Sequence, residues 1–399
     1  MSLPSAPLLT VLATLAQVAG VPTSPLDADD APAPTPTAPA YEIESVRVRY
    51  TQFAQTGLGY QSAAGPKGEP GSEWLRVEQP QAEVTARLGE RITERVWVPI
   101  DVVTAASPDH SRFEKPYDAV DAVTTASRST PAGTFDTLTS YHVDHATDVF
   151  FRGAFHIEEP FESWILGLGA TRSFAEDNTV VGASVNQVLD WFDHFDLVGN
   201  RHGRATRSTT NINVDLTQVL SPTTLANVTY GGTIQLGTLG NTWSSVPLTD
   251  DTRGEERLPG HRLRHAVTAR VAQWLPWNGA LTVSSRAYLD SWGIGASSTE
   301  AALAQRIYGG LTVRGNYRYH WQSAPSFYTT LADPATSGFR TADSDLGRLH
   351  AQTVGGAVIV DLPLTRRVRD LHADFGYERY WRSDNLKVHI TTCALGFRF

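Results

Sequence analysis

The chain has 399 residues, 41% apolar and 19% charged, with mean hydropathy −0.24 and formal net charge −9. That length accommodates two or three soluble domains or one large barrel, while the acidic balance and the lack of a basic cluster argue against nucleic-acid binding. Beyond the N-terminus no run of about 18 apolar residues occurs, so helical membrane spans are excluded and barrel strands remain open.

Residues 1–20, MSLPSAPLLTVLATLAQVAG, hold a short apolar run, Leu8 to Val18, that ends in small residues as a secretory signal does. The usual basic n-region is missing, since the first basic residue is Arg47. Residues 21–41 are dense in Pro, Ala, Asp and Thr and cannot bury a core; they are expected to form a disordered leader.

From residue 42 onward the dominant period is two. In LTVRGNYRYHWQ (311–322), Leu311, Val313, Gly315, Tyr317, Tyr319 and Trp321 alternate with Thr312, Arg314, Asn316, Arg318, His320 and Gln322. A helix would mix these sets, whereas a strand separates them onto two faces. The same alternation runs through 212–217, 280–292 and 371–378. In chain order, strands are expected near 42–52, 81–89, 91–106, 134–146, 149–158, 163–172, 178–190 and 207–220. They continue near 224–236, 262–274, 280–292, 296–306, 311–322, 349–361, 370–382 and 386–399.

Alternation alone also describes a soluble sandwich, whose strands usually have about 5–6 residues. These are longer, their polar faces carry mixed charges suited to a wet lumen, and aromatics cluster near strand ends as membrane girdles require. Trp191, Trp243, Trp292, Trp321 and Trp381 fall toward one rim, and Trp274, Trp277, Tyr308 and Phe399 toward the other. The long connections 53–80, 107–133, 191–206, 237–261 and 323–348 all fall on one side, and short turns such as 221–223 and 276–279 on the other. The expectation is an all-β, transmembrane antiparallel barrel of about 16 strands over 42–399, in the bacterial outer membrane. Such a barrel is too wide for side chains alone to fill, so its lumen either conducts or is plugged by loops.

RVRYTQF (47–53), IDVVTAASPDH (100–110), LTQVLSPTTLANVTYG (216–231), RAYLDSWGIGASSTEAAL (286–303), NYRYHWQSAPSFY (316–328) and the terminal LGFRF resemble the bacterial outer-membrane family catalogued as domain of unknown function 3570. The resemblance implies an outer-membrane barrel and no catalytic residues. Members are often encoded beside a flavin-attaching transferase, a small lipoprotein and a thioredoxin-like protein, which implies a periplasmic lipoprotein or redox partner. No motif in the chain implies a flavin or any other cofactor.

Inward alternation assigns Arg270, Arg286, Arg314, Arg318, Asp215, Asp290, Asp374 and Glu378 to the lumen. There they either tune selectivity or pair with one another structurally. In DWFDHFD (190–196), Asp190, Asp193, His194 and Asp196, with His202 beyond, are a candidate divalent-cation cluster or simply an acidic, solvated outer loop. In YHVDHATD (141–148), alternation places His142, Asp144 and Asp148 on one face and His145 on the other. No Ser, His and acid fall where the pattern brings them together, so no hydrolase site is expected. RRVRD (366–370) reads as a charged periplasmic turn. The expected role is a passive channel or a transport and export component, the alternative being a scaffold for a periplasmic redox or surface assembly.

The chain ends HITTCALGFRF (389–399). Cys393, the lone cysteine, excludes an intramolecular disulfide framework and reads as a small apolar side chain in line with Leu395, Phe397 and Phe399. Phe397 and Phe399 resemble the terminal signal read by the barrel-assembly machinery. Upstream, Leu386, Val388 and Ile390 take the opposite phase, so a bulge is expected near Thr391–Thr392.

Overall fold

The fold is taken from a computed structural model, which describes residues 41–57, 74–105, 130–158, 161–195, 201–240, 245–250, 252–364 and 368–399. The expected signal over 1–20, and the leader up to residue 40, lie outside these residues, as do Trp243, Asp196, Arg366 and Arg367.

The barrel begins with Glu42–Thr56 (β1), Leu75–Leu88 (β2), Ile92–Ala105 (β3), Thr130–His142 (β4), Thr147–Glu158 (β5) and Phe161–Phe174 (β6). Thr179–Phe195 (β7), Arg201–Ser221 (β8) and Thr224–Gly237 (β9) follow, and a short hairpin, Ser245–Pro247 (β10) with Arg253–Glu255 (β11), stands apart from the barrel sheet. The wall resumes with His261–Leu275 (β12), Gly279–Asp290 (β13), Gly295–Tyr308 (β14), Leu311–Gln322 (β15), Leu349–Pro363 (β16), Asp370–Arg382 (β17) and Lys387–Arg398 (β18). Each of the sixteen wall strands pairs antiparallel with its neighbours, and β1 pairs with β18 from Ser45↔Arg398 to Thr56↔Lys387, leaving no edge. Closure satisfies the strand amides inside the sheet, which hydrocarbon demands.

Alternation sets the two faces. Phe151, Leu166, Leu168, Val214, Leu216, Val267, Val283, Val313, Val358 and Phe375 point outward and are exposed in the isolated chain. Moving each such side chain from water into acyl chains is worth roughly 1.5–3 kcal/mol, so the exterior is a lipid-facing belt. Its upper margin on β4–β6 is an aromatic stack, Phe135 on Phe155 at 5.7 Å and Phe155 on Trp164 at 5.9 Å, with the ion pair Arg204–Glu162 at 3.0 Å above it. On the other side, outward polar groups are tied by tyrosines: Tyr230 to His265 at 2.7 Å, Tyr317 to Gln352 at 3.0 Å and Tyr377 to His389 at 2.6 Å. Trp277, Tyr308 and Phe397 mark the lower margin, where the described turns are short.

Four sequence expectations are corrected. β2 begins at Leu75 instead of 81 and runs through Pro80, beside which the β2–β3 pairing is interrupted between Glu78↔Val102 and Gln81↔Pro99 without a change of register; Pro80 and Pro99 have no amide to give the ladder there. β4 spans 130–142, so Asp144 and His145 lie in a turn and not in a strand. Most of the expected outer loop 191–206 is strand, because Asp193–Arg201 and Asp190–Arg207 pairing extends β7 and β8 beyond the belt. The bulge at Thr391–Thr392 is absent: β18 pairs without a register shift on both sides. Val388 and Leu386 are instead buried at the upper end of the lumen, so the apolar phase changes while the backbone does not.

Segments 245–250, 252–258 and 323–348 fold together over the upper end. The amide of Thr249 donates to Ala332 O and that of Ala332 to Pro247 O, each at 2.9 Å, around a small core of Val246, Leu248, Ala332 and Ala342.

Candidate functional site

The inner wall is the only continuous polar surface that the described barrel strands enclose. At the upper end it is packed. Leu75, Val77, Ala351, Thr353 and Val388 point inward and are almost wholly covered. Gln322, inward on β15, donates to the carbonyls of Asp345 at 2.8 Å and Gly347 at 2.9 Å, which brings the 3-10 turn Ser344–Leu346 against the wall. Arg382, inward on β17, holds the same turn through Asp345 and Ser344, the latter at 3.1 Å, and binds Asp384 at 2.7 Å. Lower down, Ala302 and Ala357 also point inward and are only partly covered by the described residues.

All eight lumen candidates point inward, with different surroundings. Asp290 is a structural group: Arg262 Nε donates to it at 2.8 Å, Tyr288 Oη at 2.8 Å, and its other oxygen accepts the amides of Trp292 and Ile294. Asp374 binds Arg47 at 3.1 Å and His372 at 3.4 Å. Glu378 accepts from Asn316 at 3.2 Å. Asp215 lies in the space left by Gly182, where a Cβ would collide with its carboxylate. Arg318 reaches Thr353 at 3.4 Å. Arg270, Arg286 and Arg314 make no ion pair among the described residues.

The candidate cation cluster is dispersed. Asp190 is buried between Arg207, at 2.7 Å, and Ser163, at 2.7 Å, while Asp193 pairs with Arg201. His194 is exposed, His202 is the second residue of β8, and Asp196 lies outside the described residues. Among the described residues no three His, Cys, Asp or Glu side chains converge as metal ligands would. In the lower turn, His142 Nδ1 meets Asp148 at 2.6 Å, and Asp144 accepts the Ala146 amide, which holds its carboxyl below the ordinary range. Trp292 reaches the upper rim as expected, but it is buried there with Arg262 over its ring at 4.2 Å, so it is not a lipid anchor.

Arg47, Arg49, Arg262 and Arg264 are inward groups that the sequence reading passed over. Their signal was present, since VRVRY (46–50) and HRLRH (261–265) alternate arginine with an outward residue.

A closed sixteen-stranded barrel with an apolar exterior, aromatic margins and a polar interior defines a transmembrane β-barrel of the outer-membrane kind. Within that class, the chain belongs to the family described as protein of unknown function (DUF3570), whose model matches residues 9–392. A comparison with curated proteins gives no match.

Among solved structures it is similar to a BenF-like porin from Pseudomonas fluorescens Pf-5, at 8% identity over 91% of this chain and 100% of that one, TM-score 0.47. It is similar also to OccK2 (OpdF) of Pseudomonas aeruginosa in complex with glucuronate, at 9% identity over 90% and 96%, TM-score 0.44. A bacterial polysaccharide outer membrane secretin aligns at 10% identity over 89% and 98%, TM-score 0.43. With likenesses this distant, the class rests on the chain's own topology and lipid-facing belt.

Proposed function

We propose that the protein is a passive, non-catalytic channel for small solutes across the outer membrane. The observation that carries this reading is the partly exposed inward face of the lower and middle wall, where Ala302, Ala357 and Gly376 leave space between charged side chains. A sixteen-stranded wall encloses more volume than its side chains occupy, and a polar lining keeps that volume wet. The folded cap over β12–β17 narrows the upper mouth and so restricts the size of what enters. Reconstitution of the purified full chain in planar bilayers tests the reading. Discrete conductance steps are expected, and a correctly folded barrel that leaves the bilayer silent would overturn it.

A further inference from the structure

The stretch of wall formed by β12–β15 is strongly cationic. Arg264 and Arg270 point inward from β12, Arg286 from β13, and Arg314 and Arg318 from β15. Elsewhere Arg47, Arg152, Arg207 and Arg382 have carboxylate partners. Arg264, Arg270, Arg286 and Arg314 have neither an ion pair nor a hydrogen bond among the described residues, and the Nε of Arg264 is buried without an acceptor. The acids these four strands send inward are Asp290, already bound to Arg262, and Glu300, which lies between Ser284 and Arg318 in register.

Register makes two of these arginines neighbours. Arg270 pairs with Ser284, two residues from Arg286, so the two are diagonal neighbours with Cα atoms about 7–8 Å apart. Thr268 and Ser298 flank Arg286 on its two sides, placing hydroxyl donors between the guanidinium groups. Arg264 stands above this pair, four residues up β12 from the Thr268 that faces Arg286, and Arg314 stands four residues below Arg318, so the charges are spread along the wall from the capped end toward the periplasmic end.

Arg264, Arg270, Arg286 and Arg314, with no ion pair among the described residues, present paired N–H donors to the lumen, the pattern that planar oxyanions accept, and Arg318, opposite Glu300, adds a fifth guanidinium. We infer that Arg264, Arg270, Arg286, Arg314 and Arg318 form a binding track for small carboxylate- or phosphate-bearing solutes. This rests on the channel reading for transport, though not for binding. The track gives the wall anion preference despite the chain's net charge of −9, because the nearest fixed charges dominate at separations below the Debye length of about 8–10 Å.

The test uses the full chain in planar bilayers under a potassium chloride gradient. The reversal potential is expected on the chloride side, and in the double variant Arg270→Gln/Arg286→Gln it shifts toward potassium. Added acetate and inorganic phosphate should each reduce the chloride current in the parent more than in the variant, and the stronger blocker identifies the oxyanion preferred. Cation preference in the parent, or an unchanged reversal potential in the folded variant, overturns the track. A silent bilayer overturns the channel reading alone. The track is then decided by equilibrium binding of acetate and phosphate to the detergent-solubilised barrel, with about tenfold weaker binding expected in the variant. Absent or equal binding overturns it. Arg314→Gln serves in the same assays if the double variant does not fold.

Discussion

Arg262 and Asp290 form an ion pair across β12 and β13 in which the two side chains are 8% and 0% exposed. The guanidinium is covered by Trp292, and the carboxylate also receives Tyr288 Oη and two backbone amides of the upper turn. One buried pair therefore joins two wall strands to the following turn, whose Trp292 packs on Phe327 of the cap with ring centroids 5.5 Å apart.

Substituting one member leaves the other charge buried, which costs far more than the intact pair contributes. Arg262→Ala should lower barrel stability by about 3–5 kcal/mol. Urea unfolding followed by tryptophan fluorescence measures this, and a shift no larger than that of an exposed Arg204→Ala control would contradict the buried-pair account.

The cap is held from inside the lumen by Arg382 through Asp345 and Ser344. Arg382→Ala should release the 323–348 segment while leaving the sheet ladder intact. Limited proteolysis of the purified barrel is expected to cut within that segment faster than in the parent, with the remaining fragments still folded.

Neighbouring residues on β8 face different solvents: Val214 is outward and exposed, whereas Asn213 pairs inward with Ser184 and Gly231. Val214→Arg places a charge in hydrocarbon at a cost of about 2–4 kcal/mol near the bilayer midplane. Asn213→Arg puts the same charge into the wet lumen and should cost little. Comparing unfolding midpoints in lipid vesicles checks the contrast, and equal losses would mean the faces are misassigned.

Phe397 pairs outward with Val46 and Leu371 at the lower margin, and the amide of Phe399 donates to Glu44 O at 2.9 Å, tying the last residue to the first strand. Deletion of Phe399 should reduce the fraction of chain that assembles in membranes. Heat-modifiable migration of membrane-extracted protein reads that fraction, and full assembly without the residue would remove its role as an insertion signal.

The barrel itself was legible because a strand's side-chain period of two prints lipid-facing and lumen-facing residues as an alternation, and Tyr317, Arg318 and Tyr319 carry it unambiguously. Strand ends were less legible where cross-strand pairs act. The acidic run at 190–196 looks like a loop until Arg201 and Arg207 on β8 supply partners. Leu386, Val388 and Ile390 looked out of phase because the apolar lining of the upper lumen has no counterpart in a one-strand pattern.

Alternation within single strands was enough to read the inward set that includes Arg270, Arg286, Arg314 and Arg318 and the aromatic end at Phe397 and Phe399, and with the turn spacing it pointed to about sixteen strands, the number in the closed wall. Which charges are paired depends on the folded barrel. Asp290 is consumed by Arg262, and Asp190 by Arg207, while Arg270 and Arg286 stand among hydroxyls. That division depends on register between paired strands, where a carboxylate beside a guanidinium is neutralised as a fixed pair and a guanidinium beside serine has no fixed counter-charge.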